Sequence, residues 1–272
     1  MKKTILITGS SSGIGKATAQ YFSQNGWNVA ATMRKPEDEK DIMESSAMKL
    51  YRLDVQDEDS IQKSIEKVIS DFGKIDVVLN NAGYAARGPF EAASKDQIRR
   101  QFDVNVFGLM AVIEHILPHF KQSNYGTIIN VSSIGGRLTM PLYSLYHGTK
   151  WAVEGFSESL AYELAQFGIK IKIIEPGVIK TDFTGRSADI LEKEDLNSYE
   201  TLIKNFEEKA AKFMDKAAEP KLVAQTIYKA ANDTSNRMRY LVGKDAKMFW
   251  IIRRYFGDGL AIKLTKKILG VP

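Results

Sequence analysis

Cysteine is absent from the chain, which removes disulfides, thiol nucleophiles and thiolate metal sites at once and fits a reducing compartment. Histidine is scarce. Of three, His115 and His119 stand four apart as a metal pair would, but Pro118 falls between them, no glutamate stands in H-E-x-x-H register, and His147 alone remains. No metal is expected. No apolar run nears the ~18 residues of a membrane-crossing helix, and the one behind Lys2 and Lys3 breaks at a glycine loop, short of the ~7 residues of a signal-peptide core. These shortages point to the cytoplasm. What is left, 272 residues with 44% hydrophobic and 26% charged side chains, is the composition of one large globular domain.

The net charge of +5 sits in the tail: residues 236–272 hold nine lysines and arginines against Asp245 and Asp258, a balance of +7 that leaves −2 for the rest. So uneven a distribution argues for a local contact surface and against a nucleic-acid-binding body.

Reactive chemistry is concentrated in a few stretches. Tyr146 and Lys150 stand four apart in a helical pattern and so share a face. A phenol of pKa near ~10 is a poor base at neutral pH unless an ammonium steadies the phenolate; lowering it by roughly three units asks about 4 kcal/mol of a close cation in a half-dry cleft. Tyr240 and Lys244 repeat the spacing, but the residue thirteen before Tyr240 is Ile227, whereas Ser133 stands thirteen before Tyr146 and offers a hydroxyl.

At the other end of the chain, a strand over 4–8 runs into Gly9-Ser-Ser-Ser-Gly13-Ile14-Gly15 and a helix over 14–24. There the glycines let backbone approach a pyrophosphate at a helix N-terminus, although their spacing departs from G-x-G-x-x-G. After a second strand, 28–33, where a dinucleotide site commonly places an acid on the ribose, stands Arg34. A guanidinium grips a 2′-phosphate that a carboxylate would repel, which favours NADP(H) over NAD(H). Strands over 49–53, 75–79, 127–131, 169–175 and 239–243 alternate with helices over 58–72, 95–120, from about Tyr146 to 167, and 222–232. The pattern is that of a doubly wound parallel α/β sheet, with no strand expected over 183–216.

Ser133, Tyr146 and Lys150, taken with Thr8-Gly9-Ser-Ser-Ser-Gly13-Ile14-Gly15 and Asn80-Asn81-Ala82-Gly83, resemble the short-chain dehydrogenase/reductase family, closely over residues 4–182. Ala31-Thr-Met-Arg34 and Gly88-Pro89 resemble its hydroxysteroid and retinol dehydrogenase branch. The resemblance implies a Rossmann fold and a reversible oxidoreductase interconverting an alcohol and a carbonyl. It makes Tyr146 the general acid/base, sets Ser133 on the reacting oxygen, and has Lys150 lower the tyrosine pKa and bind the nicotinamide ribose. Asn105 would hold a helix kink and complete a proton relay.

Implied cofactor contacts are Gly9, Ser11, Ser12, Gly13, Ile14 and Gly15 in the loop, and Asp54 and Val55 at the adenine. Asn80 would brace strand ends, Ala82 and Gly83 pass beneath the adenosine, and Pro176, Gly177, Val178 and Thr181 lie at the nicotinamide carboxamide. Asp54 serves equally well as a turn cap. A homodimer or homotetramer built from two long helices is implied too. Reduction of an activated C=C bond, or a non-catalytic NADP(H)-responsive scaffold, stays open on the same fold.

Residues 1–243 are expected to form the catalytic domain, with 183–216 as its lid and 244–272 as a basic amphipathic extension. That tail sets Phe249, Trp250, Tyr255, Leu260, Leu264 and Ile268 in a helical pattern. It covers the substrate cleft, meets an anionic membrane surface, or packs on its own domain or a partner subunit. Leu138, Met140, Leu142 and Phe183 favour an apolar, mid-sized substrate, unless Arg137 faces the cleft and selects a carboxylate or phosphate ester.

Overall fold

The computed structural model describes residues 2–181, 183, 188–193 and 197–271. The parts of the expected lid over residues 184–187 and 194–196 lie outside the described residues.

Apolar runs without alternation become strands covered on both faces. The elements are Thr4–Ile7 (β1), Gly13–Gln24 (α1), Asn28–Met33 (β2), Met48–Arg52 (β3), Glu58–Phe72 (α2), Val77–Asn80 (β4), Ala85–Arg87 (β5), Lys95–Phe102 (α3) and Gly108–Ser123 (α4). They continue with Gly126–Val131 (β6), Ser144–Leu164 (α5), Ile169–Pro176 (β7), Ala188–Ile190 (β8), Glu200–Met214 (α6), Pro220–Asn232 (α7), Arg239–Val242 (β9) and Lys244–Leu269 (α8).

Seven strands make one all-parallel sheet in the order β3-β2-β1-β4-β6-β7-β9, a doubly wound Rossmann-like fold. The order reverses between β1 and β4, so the loops leaving these two strands part there and open a crevice at the carboxyl ends. On one face Phe22, Trp27 and Ile227 pack on Ile5, Ile7 and Ile129; on the other Ile61, Ile116 and Leu160 pack on Leu6, Val78 and Ile128.

Two expectations change. The helix expected over 95–120 is interrupted, because Asp103–Phe107 winds as a π-helical turn between α3 and α4. Such a turn disturbs the backbone ladder, and here Asn105 compensates by bonding both backbone groups of Tyr84 and the hydroxyl of Thr149. The lid, expected to lack strands, contains β8, which pairs in parallel with β5 from Ala85 opposite Ala188 to Arg87 opposite Ile190. Three-residue strands are too short to show a period of two in the sequence. Ion pairs Arg87–Glu207 and Arg100–Asp189, each at 3.0 Å, tie this small sheet to α6 and α3. Helix α8 is two segments, broken where Gly257 adopts φ 78°, ψ 173°.

Glu175, near the end of β7, is fully buried. Its Oε1 meets Arg137 at 3.1 Å and Arg239 at 3.5 Å, and Arg239 also holds Glu154 at 3.0 Å. One oxygen of each glutamate has no hydrogen-bond partner among the described residues. Burial, then the neighbouring Glu154 carboxylate, push the Glu175 carboxyl up to about 7 against the pull of both arginines. A raised native pKa means the folded protein holds the proton more tightly than the unfolded chain. The associated stability is complete below about 4.5 and is lost as pH rises toward about 7. Glu175→Gln should therefore flatten the decline in Tm between roughly pH 5 and 8 relative to the parent; superimposable profiles in thermal denaturation would contradict the assignment.

Candidate active site

The glycine loop lies in the crevice between β1 and β4. Gly9 and Gly13 have φ of 69° and 54°, and a Cβ on Gly15 would lie 2.2 Å from the Gly9 carbonyl oxygen, so only glycine lets this turn close. Ser12 occupies the N-cap of α1 without a capping side-chain bond, and no acidic residue stands in the first turn. The first N–H groups are thus left to an anion. Beside them a cavity of about 400 Å3 is lined by Gly13, Thr181 and three lysines, Lys16, Lys180 and Lys221. Lys16 is paired with Glu39 and Asp41 and Lys180 with Glu219, so the fit to a dinucleotide pyrophosphate rests on glycine-only clearance and the uncapped helix, with Ser11, Ser12 and Ile14 on the same turn.

The other predicted cofactor residues surround this crevice. Arg34 follows β2, exposed, with no ion-pair partner among the described residues. The Asp54 carboxylate accepts from the Gln56 N–H at 3.1 Å, a turn-capping bond, and Val55 is packed where a Cβ on Gly108 would lie 2.7 Å away. Asn80 donates to Asn130 at 2.9 Å and so braces β4 against β6. Ala82 donates its N–H to Thr8 Oγ1 at 3.0 Å, and Gly83 lies against Asn105 Oδ1.

Ser133 follows β6 and Tyr146 and Lys150 share the inner face of α5, all three at the same crevice. The Ser133 hydroxyl accepts from the Gly135 N–H at 2.9 Å and lies close enough to the Tyr146 phenol to favour its ionised form. Lys150 Nζ donates to the Val131 carbonyl at 2.8 Å and lies 5.7 Å from the Tyr146 ring centroid.

The expected lowering of the phenol is reversed: burial pushes Tyr146 up to about 12, only partly offset by Ser133, while burial pulls Lys150 down to about 8 against the field of Glu154. Desolvation outweighs pairing because the ammonium is turned to a backbone carbonyl. Asn105 reaches Thr149, next to Lys150 in the chain, and does not bond Lys150 itself.

Beyond β7, the Pro176 carbonyl accepts from Ser133 at 3.5 Å, and Gly177 leaves room for the Asp245 carboxylate. The backbone groups expected to be free at Val178 are occupied: its N–H donates to Asp245 at 2.7 Å and its C=O accepts from Ala218 at 3.0 Å. Ile179 forms the bridge to Ala218, so its own N–H and C=O point the other way and have no partner among the described residues. The free pair near Val178 is therefore that of Ile179. Thr181 stands against Gly13, joining this segment to the glycine loop.

The sequence profile of the short chain dehydrogenase family matches residues 3–191. The chain belongs to the short-chain dehydrogenase family. An uncharacterised oxidoreductase of Schizosaccharomyces pombe is 39% identical over 88% of this chain and 100% of its own length. A 3-ketodihydrosphingosine reductase of Bacteroides thetaiotaomicron is 39% identical over 66% of this chain and 65% of its own, and human 17-beta-hydroxysteroid dehydrogenase type 1 is 29% identical over 88% and 77%. Among solved structures, a short-chain dehydrogenase from Streptomyces avermitilis superposes with a TM-score of 0.83 at 30% identity, covering 98% of this chain and 96% of that one. ElxO with NADP bound gives 0.73 at 31%, covering 89% and 98%.

In this short-chain dehydrogenase the wall over Tyr146 is apolar. Met140, Leu142, Phe183 and Phe206 cluster with Tyr143 and Tyr146, and the tail residues Ile268, Leu269 and Val271 close the cluster. Leu138, expected there, instead packs with Ile134 and Ala246 on the side of Trp250. Arg137 turns the same way, to Glu175, and lines a second cavity of about 450 Å3 that none of Asn105, Ser133, Tyr146 and Lys150 borders.

Four positioning residues were not singled out from sequence. Thr8 and Asn81 pin the glycine loop, the Asn81 amide donating to the Thr8 and Gly9 carbonyls at 3.0 and 2.9 Å. Asp245 holds Val178, and buried His147 ties the Met140 end of the wall over Tyr146 to the turn after β6. Its Nε2 accepts from the Met140 N–H at 3.0 Å, which places the proton on Nδ1, 2.9 Å from the Gly135 carbonyl. The adjacent motif letters were the available signal for Thr8 and Asn81; for Asp245 there was none. His147→Ala strands two buried backbone groups and should cost about 1–3 kcal/mol in denaturant unfolding, which equal stability of variant and parent would refute.

Proposed function

We propose that the protein is a cytoplasmic, NADP(H)-dependent dehydrogenase/reductase interconverting an alcohol and a ketone or aldehyde on an apolar, mid-sized substrate. The supporting observation is the convergence of the buried Tyr146 phenol with Ser133 and Lys150 beneath an apolar wall. The chemistry supplied by a bound nicotinamide is hydride transfer to and from the substrate carbon. Tyr146, raised to about 12, keeps its proton at neutral pH and delivers it to the carbonyl oxygen in reduction, taking it back in oxidation. Ser133 holds that oxygen by a hydrogen bond. Lys150, still cationic below about 8, steadies the phenolate left after proton transfer and offers N–H groups to ribose hydroxyls.

Arg34, exposed and unpaired among the described residues, supports a 2′-phosphate, and the NADP-bound relative ElxO agrees with that reading. Arg137 is drawn off to Glu175, so the cleft loses the handle that would have selected anionic substrates. Relatives named for 3-ketodihydrosphingosine and for a 17-beta-hydroxysteroid fit such a cleft. Exposed Phe107 at the end of the π-helical turn, with Trp151 and Tyr162 on α5, supports a homodimer or homotetramer.

The reading is tested by NADPH oxidation across carbonyls running from acetaldehyde-sized to long-chain and ring-bearing, with acidic analogues beside them. Efficiency should peak at the large neutral members; a peak at the small or anionic ones would overturn it. Tyr146→Phe should abolish turnover yet keep cofactor affinity within a few fold in fluorescence titration, and full activity in that variant would sink the mechanism. Arg34→Ala should weaken NADPH by about 1.5–3 kcal/mol while sparing NADH, the range of a charge-assisted hydrogen bond. Equal parental efficiency with both cofactors would contradict it.

A further inference from the structure

The first segment of α8 buries Ala246 and rests Phe249 and Trp250 on Ile134 and Leu138. Its opposite side is apolar as well: Met248, Ile251 and Tyr255, at helical spacing on one face, are 45, 47 and 72% exposed. Phe256 continues this surface at the Gly257 break, followed by Leu260 and Ile262. Of the fourteen large hydrophobic side chains that are exposed among the described residues, six fall in this short stretch, so the clustering is a patch and not the usual scatter.

Cations frame it. Lys244 shares the face of Met248, Lys247 that of Ile251, and Lys263, Lys266 and Lys267 follow the break. The two acids of the helix are turned away or spent, Asp245 on the Val178 N–H and Asp258 on Arg253 at 2.9 Å.

We propose that α8 docks on an anionic membrane surface, and that its last turn, seated over Tyr146, admits a long-chain carbonyl compound from that surface. The substrate half of this rests on the function proposed above. Exposed aromatic and aliphatic side chains framed by uncompensated lysines match an anionic headgroup layer over hydrocarbon. A second copy of the chain fits poorly, because a two-fold contact would oppose this cationic face to itself. No helix among the described residues is long and apolar enough to cross a bilayer, so the contact is peripheral. The link to the site is covalent and short: Leu269, 5% exposed, ends the same helix inside the cluster of Tyr143, Tyr146 and Phe206. A tail held by headgroups shifts the element that covers the phenol.

Co-sedimentation of the full chain with phosphatidylcholine vesicles, with and without phosphatidylglycerol, tests docking without any turnover. Binding should require phosphatidylglycerol and fall with salt. Lys263→Gln combined with Lys266→Gln and Lys267→Gln should weaken it roughly 100-fold. Ile251→Glu with Tyr255→Glu should abolish it while turnover of a short, water-soluble carbonyl stays at the parental level. Equal binding to neutral vesicles, or parental binding by both variants, overturns the proposal. Loss in the lysine variant alone would identify a purely electrostatic polyanion site and overturn it as well. Dissociation of an oligomer by the Ile251→Glu, Tyr255→Glu pair would assign the face to a second copy. Vesicle binding without reduction of any carbonyl would refute the functional reading and leave docking standing. The substrate half requires that anionic vesicles accelerate the parent on a long-chain ketone and not the doubly substituted protein; equal rates would remove it.

Discussion

The Thr8 hydroxyl governs the geometry of the site. It accepts from the N–H groups of Asn81 and Ala82, both at 3.0 Å, and donates to the Leu79 carbonyl at 3.3 Å. One oxygen at the end of β1 thereby ties down the loop leaving β4, at the point where the sheet reverses its order. The Asn81 amide returns the bond, holding the Thr8 and Gly9 carbonyls from the other side. With the two loops stapled together, the intervening turn needs no side chains of its own, and backbone N–H groups can face an anion directly. Each of these buried groups, left unpaired, would cost about 1–3 kcal/mol, so the staple is also what keeps the crevice from refolding onto itself.

Much of the frame was legible because its signals are local. Buried parallel strands read as unbroken apolar runs, and the strand, glycine turn and helix at residues 4–24 occur within a single window. What escaped was tertiary. The β5–β8 pair joins segments about a hundred residues apart, each too short for a pattern. Ile179, not Val178, presents free backbone groups because Ala218 and Asp245, distant in sequence, occupy its neighbour. Arg137 could not be aimed from sequence, since its partner Glu175 becomes a neighbour only when β7 lies beside β6. The spacing of Ser133, Tyr146 and Lys150, by contrast, survives folding: a serine at a strand end and a tyrosine and lysine four apart on one helix need only β6 and α5 to pack side by side.

Leu142 shows how the wall over the site is shaped. It is a non-glycine residue at φ 66°, a left-handed conformation that costs an L-residue roughly 1–2 kcal/mol. The surroundings impose it from both directions: the Leu142 carbonyl accepts from the Gly88 N–H at 2.8 Å, and two residues earlier the Met140 N–H is held by His147. The chain therefore reverses sharply just before α5, which seats Leu142 among the residues over Tyr146 and starts the helix at Ser144. Gly88 adjoins β5, so the same bond connects the wall to the small β5–β8 sheet.

The opposed shifts of Tyr146 and Lys150 follow from one cause. Both side chains are buried beneath that wall, and burial disfavours whichever form is charged: the phenolate of one, the ammonium of the other. Were the pair solvated, each would lie near its ordinary value and the phenol would hold its proton with no help from the fold. Desolvation alone would carry the pair toward two neutral groups, and a neutral amine could not steady a phenolate. Glu154 opposes that drift. One turn beyond Lys150 on α5, its carboxylate is the charge that raises the lysine against burial, and it pairs with Arg239 at 3.0 Å. The ion cluster behind α5 therefore bears on the Tyr146–Lys150 pair in front of it through the field of a single buried carboxylate, carried on the same helix as Lys150.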